Sequence, residues 1–225
     1  MATVGERFHI LYEDDAVVAV HKGPGLLSVP DNTATPALNR RLETLLRERD
    51  GPSTKIYPLH RLDKHVSGIV LFAKTPAART RLRDGFAAGD VKRIYLAGIR
   101  GKMRPPEGTL RSYLDTRSKK PRSVAPHLGV EAVTHYRTYR TGTRHSLLEV
   151  RLETGRKNQI RVHLAEAGHP LLGDRLFGGV EEKGFDRRRI ALHAFRLRFA
   201  HPRTGKEIEV EDPAPPAFTE LLKQR

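Results

Sequence analysis

Short apolar segments separated by polar turns dominate the hydrophobic pattern of the chain. Residues 16–20 and 69–73 form continuous apolar runs bounded by turn residues, a pattern typical of buried strands. Residues 132–139 and 146–152 alternate between apolar and polar positions on either side of Thr141-Gly142-Thr143, which predicts a β-hairpin. We expect further strands over residues 92–99, 190–199 and 207–210.

Helical signals are fewer and lie between these strands. Residues 35–50 and 75–89 each begin with Thr-Pro, an N-cap followed by proline in the first turn, and each ends near glycine. A shorter helix is predicted after Gly155 and ends at Gly168, and a terminal helix follows the prolines of residues 213–216. Because strands and helices do not alternate regularly, the pattern predicts an α+β fold with a largely antiparallel sheet.

Length and composition limit the domain organisation. The chain has 225 residues, of which 38% are hydrophobic, enough for one sizeable core. We therefore expect a single domain over residues 1–225. No apolar run is long enough to cross a bilayer, and the N-terminus lacks the order of residues found in a signal peptide, so a cytoplasmic protein is expected.

The charge of the chain points to a polyanionic partner. Forty-one Lys and Arg against 26 Asp and Glu give a formal net charge of +15, and such a field attracts nucleic acid. Two weaker explanations are a general solubility effect and binding to an acidic membrane surface. Because there is no Trp and aromatic residues make up only 6%, an array of stacking aromatics is not expected.

Several classes of chemistry lack their sequence motifs. The chain has no Cys, which excludes disulfides, thiolate catalysis and Cys-based zinc sites. It also lacks a Walker-type phosphate loop, a dinucleotide fingerprint, a His-Glu-x-x-His pair and a Gly-x-Ser-x-Gly elbow. The sequence therefore predicts neither a cofactor nor a metal site.

One acidic residue stands out by its surroundings. Asp63 lies between Arg61 and Lys64 and is followed by Ser67-Gly68 and the apolar run of residues 69–73. A loop ahead of a buried strand can hold one ionised carboxylate against basic neighbours. The alternative interpretation is a turn residue or a surface ion-pair partner.

Three further residues are candidates for a site. Tyr95 lies on the predicted strand 92–99, on the face opposite Ile94. Arg161 lies near the first turn of the short helix that follows Gly155, and Lys22 lies at the end of a strand. A core position for the tyrosine and a surface or phosphate contact for the arginine are the ordinary alternatives.

The segment His60-Arg61-Leu62-Asp63-Lys64-x-x-Ser67-Gly68 resembles the catalytic signature of the RluA-type RNA pseudouridine synthases. Other segments resemble the family in order and character across nearly the whole chain. They are the turn at residues 22–26, residues 92–96 (Lys-Arg-Ile-Tyr-Leu), which resemble the family's Lys-x-Tyr-Leu strand, Thr-Gly-Arg at residues 154–156, Gln-Ile-Arg-x-His at residues 159–163, and Gly-His-Pro-x-x-Gly-Asp at residues 168–174. The chain departs from the family pattern at Val66, usually Thr, at Asn158, usually His, and at Gly23, where proline is usual.

The resemblance implies a pseudouridine synthase fold, in which helices and long loops flank a mostly antiparallel mixed sheet. It implies that uridine is isomerised to pseudouridine, with Asp63 acting as nucleophile or as base and electrostatic stabiliser. Arg161 would be the ion-pair partner that keeps this carboxylate charged. Tyr95 would lie against the uracil and accept or relay a proton.

Three residues would then help to bind RNA. Arg61 would fill the gap left by a flipped-out base and hold the backbone. His60 would assist in the same way or serve in packing, and Lys22 would approach the site from its strand end. Basic clusters at residues 117–122 and 187–189 are the predicted phosphate contacts, with a mobile, solvated loop as the alternative for the first.

The implied partner is structured RNA, either ribosomal RNA, transfer RNA or both. The resemblance implies no cofactor, no metal, no DNA and no membrane partner, and a monomer is expected. Because the catalytic pattern begins by about Phe8, we expect a stand-alone catalytic domain without a preceding S4-like RNA-binding domain.

Two other functions are compatible with the basic composition. A noncatalytic RNA-binding or ribosome-assembly protein would use the same basic surface without needing Asp63. An RNA nuclease would cleave the strand and usually requires metal ions, for which the sequence has no recognisable ligand set.

Overall fold

The structure is a computed structural model that describes residues 8–31, 37–182 and 185–223. Within these ranges it contains four α-helices. They are α1 (Leu38–Asp50), α2 (Pro76–Ala88), α3 (Gln159–Glu166) and α4 (Pro216–Lys223). All four predicted helices are therefore present. The predicted start of the first helix is wrong, because Ala37, and not Thr35, is its N-cap, and Thr35 itself lies outside the described residues.

Eleven strands are found in the described part of the chain. They are β1 (Phe8–Glu13), β2 (Val17–Lys22), β3 (Tyr57–Pro58), β4 (Ser67–Ala73), β5 (Lys92–Arg100), β6 (Glu107–Leu114), β7 (Ser123–Val124), β8 (Val130–Thr141), β9 (His145–Leu152), β10 (Leu192–Ala200) and β11 (Glu207–Glu211). The predicted hairpin corresponds to β8 and β9, which pair antiparallel. The expected α+β class is confirmed.

Four strands were not predicted: β1, β6 and the two-residue strands β3 and β7. In β1, apolar and polar residues are mixed, and most of its side chains are only partly buried. β6 begins at Glu107, inside a stretch that the prolines at positions 105 and 106 had marked as loop, and only its last residue, Leu114, is buried. β1 and β6 form because each pairs with a neighbouring strand. β1 pairs with β2, with a register shift between Ile10 and Tyr12, and β6 pairs with β8 along its whole length.

The chain folds into two compact units, and the first consists of Met1–Val91 and Ala194–Asp212. Its strand order is β1-β2-β4-β10-β11, with the short β3 also on β4. The β1–β2, β2–β4, β3–β4 and β10–β11 pairings are antiparallel. α2 packs against β4.

The core of the first unit surrounds β4. Every residue of this strand is buried, and Ile69, Leu71 and Ala73 belong to one apolar cluster. Leu82 of α2 and Phe199 of β10 pack into the same cluster. A strand held in this way is a rigid base for the loop that precedes it.

α2 illustrates how the sequence defines a helix locally. Thr75 has an extended backbone, and its hydroxyl accepts a hydrogen bond from the Ala78 N–H at 3.1 Å. Pro76 occupies the first turn, and Gly89 adopts the left-handed conformation that ends the helix. The predicted boundaries of this helix are confirmed.

The second unit consists of Lys92–His193 and Pro213–Arg225. Its strand order is β5-β9-β8-β6-β7, and all four pairings are antiparallel. α3 packs against β6 and β8 through a cluster that contains Leu114, Ala132 and Val162. No helix in the described ranges has the length and apolar composition needed to cross a lipid bilayer.

Gly68 provides a test of the packing around β4. Its φ is +116°, and a Cβ at this position would lie 2.4 Å from the backbone N of Ala194. We expect Gly68→Ala to lower the free energy of unfolding by about 2 kcal/mol or more, since backbone strain and a backbone clash act together. Urea denaturation followed by circular dichroism measures this change.

Gly51 is the matched control. Its φ of +107° is similar, but a Cβ there would meet nothing within 4 Å. Gly51→Ala is therefore expected to cost only the backbone term, about 1 kcal/mol. Equal losses of stability in the two variants would show that the close approach to Ala194 does not contribute to the change in the free energy of unfolding.

Candidate active site

Asp63 lies in the loop between β3 and β4. Its side chain is partly exposed, whereas its neighbours Leu62 and Val66 are buried at 6% and 2% exposure. The Val66 N–H donates to the Asp63 carbonyl at 3.1 Å, which closes a tight turn immediately before β4 begins. The loop thus presents one carboxylate from a backbone anchored on both sides.

Lys22 braces this turn from the end of β2. Its side chain is fully buried, and its ammonium donates to the carbonyl oxygens of Gly23 at 3.1 Å, Leu26 at 2.9 Å and Lys64 at 3.3 Å. The Gly25 N–H donates to the same Lys64 carbonyl at 2.7 Å. The turn that follows β2 is therefore tied to the residue next to Asp63.

Ser28 fixes the backbone immediately before Asp63. Its buried hydroxyl donates to the Leu62 carbonyl at 2.9 Å, and its oxygen accepts from the Leu62 N–H at 3.0 Å. The carbonyl of Leu62 belongs to the peptide bond that leads into Asp63. Both peptide groups that flank Leu62 are thus fixed by one side chain, which sequence analysis did not single out.

The geometry favours a structural role for Lys22. It was predicted as an RNA contact, but its exposed fraction is 0% and its ammonium is surrounded by backbone carbonyls. A buried ammonium needs such partners because desolvation is costly. The sequence shows that a lysine lies at the end of a strand, but it does not show whether the ammonium is exposed to a ligand or buried against backbone carbonyls.

His60 and Arg61 differ in their surroundings. The His60 ring is partly buried and packs against Phe86 with a centroid distance of 5.3 Å. Its Nε2 accepts a hydrogen bond from the Leu71 N–H at 3.1 Å, which favours the packing alternative. Arg61 is exposed, and its role in RNA binding stays a prediction.

Tyr95 and Arg161 belong to the second unit. Tyr95 lies on β5 opposite Val150 of β9 and is 7% exposed. Tyr95 is thus largely buried, as the core alternative for this residue also requires. Whether its hydroxyl meets substrate stays a prediction.

Arg161 is fixed by a buried carboxylate. Its Nε donates to Asp174 Oδ2 at 2.7 Å and its Nη2 to Oδ1 at 2.8 Å, while the arginine and aspartate are 8% and 1% exposed. The Phe177 ring lies 4.9 Å from the guanidinium carbon, and Nη1 donates to Asn158 Oδ1 at 3.1 Å. The plane of the guanidinium is thereby determined.

Asp174 was not identified as a functional residue from the sequence, although it ends the Gly-His-Pro-x-x-Gly-Asp segment. Asn158 has a φ of +56°, a left-handed conformation that asparagine tolerates better than most residues. The predicted ion pair between Arg161 and Asp63 joins residues of different units and stays a prediction.

A buried polar network holds α3 on the sheet. Gln159 donates to the Val133 carbonyl at 3.0 Å and the Thr134 hydroxyl at 2.9 Å. His163 Nδ1 lies 2.9 Å from the same hydroxyl, and its Nε2 lies 2.9 Å from the Ser112 hydroxyl. Burial lowers the pKa of the His163 imidazole, against the opposing effect of a nearby carboxylate, which favours the neutral ring. The Gln-Ile-Arg-x-His spacing therefore anchors the helix that carries Arg161.

The two basic clusters differ in their ion pairing. In the segment 117–122 all basic side chains are exposed, and Arg117 pairs with Asp115 at 3.0 Å. In the segment 187–189, Arg187 pairs with Glu181 at 3.2 Å and Arg188 with Asp186 at 3.3 Å. Such exposed pairs are weak and can be exchanged for phosphate contacts.

The chain matches a family model described as RNA pseudouridylate synthase over residues 16–166. It is 35% identical over 218 residues to the uncharacterized RNA pseudouridine synthase YhcT of Bacillus subtilis, covering 95% of this chain and 71% of the relative. It is 38% identical over 239 residues to ribosomal large subunit pseudouridine synthase D of Vibrio parahaemolyticus, covering 96% and 70%.

Solved structures agree with this. Human RNA Pseudouridylate Synthase Domain Containing 1 superposes with a TM-score of 0.73 at 26% identity, covering 93% of this chain and 84% of that one. Human RNA Pseudouridylate Synthase Domain Containing 4 has the same fold, with a TM-score of 0.80 at 22% identity and coverage of 95% and 91%. The expected fold is confirmed, and the chain belongs to the RluA-type family of RNA pseudouridine synthases and has their activity.

Proposed function

We propose that this RNA pseudouridine synthase modifies one or more uridines in structured ribosomal RNA, transfer RNA or both, with Asp63 as its catalytic carboxylate. The observation that carries the proposal is the double anchoring of the Asp63 loop. Lys22 and Ser28 hold the backbone on both sides of Asp63, yet leave its side chain partly exposed. This is the arrangement expected for a group that must meet a substrate in a fixed position.

The reaction places clear demands on that carboxylate. The bond between N1 of uracil and C1′ of ribose breaks, the base turns, and a new bond joins C5 to C1′ while the hydrogen at C5 is lost and N1 gains a proton. Positive charge develops at the anomeric carbon when the first bond breaks. Asp63 can stabilise this charge, attack the carbon or act as a base, and the proposal keeps these roles open.

Arg161 is proposed as the cation that keeps Asp63 ionised. Support comes from the fixed guanidinium plane, since Asp174 occupies Nε and Nη2 in a bidentate contact. A cation oriented in advance can interact with a second carboxylate at little entropic cost. Tyr95 is proposed to lie against the uracil and to accept or relay a proton.

Recognition of RNA is proposed to use exposed cations. Arg61 is exposed and only two residues from Asp63, so it can fill the gap left by a flipped base. The clusters at residues 117–122 and 187–189 would contact phosphates. Several relatives are named as ribosomal large subunit pseudouridine synthases, which favours ribosomal RNA as the first substrate to test. A cytoplasmic location and a monomeric state agree with this proposal.

Asp63→Asn is expected to lower the rate of pseudouridine formation at least about 10³-fold and to leave RNA affinity unchanged, since the amide keeps the shape but loses the charge. Release of tritium from RNA labelled at uridine C5 measures the rate, and filter binding measures affinity. Pseudouridine mapping by carbodiimide adduct and primer extension, in cells with and without the gene, identifies the site.

Asp84→Asn is the matched control, because Asp84 is exposed on α2 and the substitution makes the same charge change. It should retain full activity and restore the site in cells. If Asp63→Asn also retained activity, the catalytic role of Asp63 would be rejected, although the family assignment would stand.

Ser28→Ala is expected to reduce kcat about 10-fold or more with little change in RNA affinity. The substitution leaves the Leu62 N–H and carbonyl without their shared partner, so the Asp63 loop loses its fixed geometry. Ser28→Thr keeps the hydroxyl and should recover much of the rate. Equal kcat in wild type and Ser28→Ala, measured well below both unfolding transitions, would contradict the bracing role.

Asp174→Asn is expected to lower the free energy of unfolding by about 3 kcal/mol, because the buried Arg161 loses its countercharge. The double variant Arg161→Met with Asp174→Leu replaces the pair by apolar groups and should recover most of that stability. The double variant should nevertheless be inactive, because it lacks the cation that is proposed to keep Asp63 ionised. Recovery of both stability and activity in the double variant would show that the Arg161–Asp174 pair has a purely structural role.

A further inference from the structure

Two histidines and a buried aspartate meet in the first unit, on residues to which the proposed reaction assigns no role. His9 on β1 and His21 on β2 are register partners, and their rings stack with centroids 4.8 Å apart and planes inclined by 12°. Asp212 directly follows β11, and its Oδ2 lies 2.6 Å from His21 Nδ1. One potential ligand atom from each residue lies within 4.8 Å of the other two.

We propose that His9, His21 and Asp212 bind a divalent first-row transition-metal ion, with zinc as the reference ion. Two imidazole nitrogens and a carboxylate oxygen form a donor set that zinc uses in sites with one open position. Zinc bonds of about 2.0–2.2 Å place tetrahedral ligands about 3.3 Å apart. The widest pair of ligand atoms must therefore close by about 1.5 Å, and the His21 Nδ1–Asp212 Oδ2 contact of 2.6 Å must open by about 0.7 Å. Both changes are within the range of side-chain rotation.

The backbone around the cluster is organised in advance. His21 lies in a strand paired on both sides, opposite His9 of β1 and Ile69 of β4. The Asp212 N–H donates to the Phe195 carbonyl at 2.9 Å, and Asp212 is only 5% exposed. His9 is exposed and can rotate to complete the site, which leaves the fourth position to water. Two ligands are thus held by the sheet and the third is adjustable.

The donor set also selects the class of ion. Imidazole suits zinc, copper, nickel and cobalt, whereas magnesium and calcium prefer sites made only of oxygen. A bound ion would link β1 to the residue after β11 and so stabilise the outer edge of the first unit. This role is separate from the isomerisation and does not depend on the proposed catalytic residues.

The motif search predicted no metal site because it relied on short spacings. His21 and Asp212 are separated by 191 positions, so no local motif could connect them. The competing explanation is a His–carboxylate pair with a second ring stacked on it. His135 and Glu153 form such a pair at 2.9 Å, and the described residues show no metal-ligand group around it, so this pair provides the control.

The test uses the full chain without a polyhistidine tag, freed of metal with a chelator and titrated with Zn²⁺. Wild type should bind one ion, and Tm should rise by about 5 °C at a zinc concentration near 100 times Kd. His9→Gln, at an exposed position that should not affect folding, should weaken binding at least about 10-fold and remove the shift. His135→Gln should behave like wild type.

Cobalt provides an independent readout. Co²⁺ should give visible absorption typical of four coordination in wild type and lose it in His9→Gln. The same zinc affinity and Tm shift in His9→Gln as in wild type, or no stoichiometric binding by wild type, would overturn the proposal.

Discussion

The structure around the candidate site depends on the burial of one ammonium group. Lys22 is fully enclosed, and the carbonyl oxygens of Gly23, Leu26 and Lys64 compensate for the loss of water around its charge. These oxygens come from two segments that are far apart in sequence, so satisfying the lysine forces the turn after β2 and the Asp63 loop together. Ser28 adds neutral hydrogen bonds to the same junction. The position of the Asp63 backbone follows from the requirement that buried polar groups be paired.

In the second unit, a carboxylate compensates for the burial of a guanidinium group. Arg161 could not be buried alone, and Asp174 supplies both the countercharge and the fork geometry that orients it. The network of Gln159, His163 and Thr134 then fixes the helix that carries the arginine. A protein of net charge +15 therefore uses one of its 26 acidic residues to orient a cation rather than to hold a surface pair.

The rest of the charge acts at a longer range. Many exposed arginines lie beside glutamate or aspartate, as Arg137 does beside Glu149, and such pairs contribute little to stability. The excess of basic side chains attracts a polyanion, and this attraction weakens as salt is added. Strong salt dependence of RNA binding and low salt dependence of folding are thus compatible in one chain.

The sequence alone determined the elements whose signals are local. The Thr75 cap, the apolar run of β4 and the alternation of the β8–β9 hairpin all depend on neighbouring residues, and the ordered motifs that carry Asp63, Tyr95 and Arg161 identified the family. Tertiary structure decided that β1 and β6 are strands, that Lys22 is buried, that Asp174 holds Arg161 and that two histidines meet Asp212. The physical reason is range: caps and periodicity act within one or two turns of chain, whereas the partner of a buried polar group can come from any part of the fold.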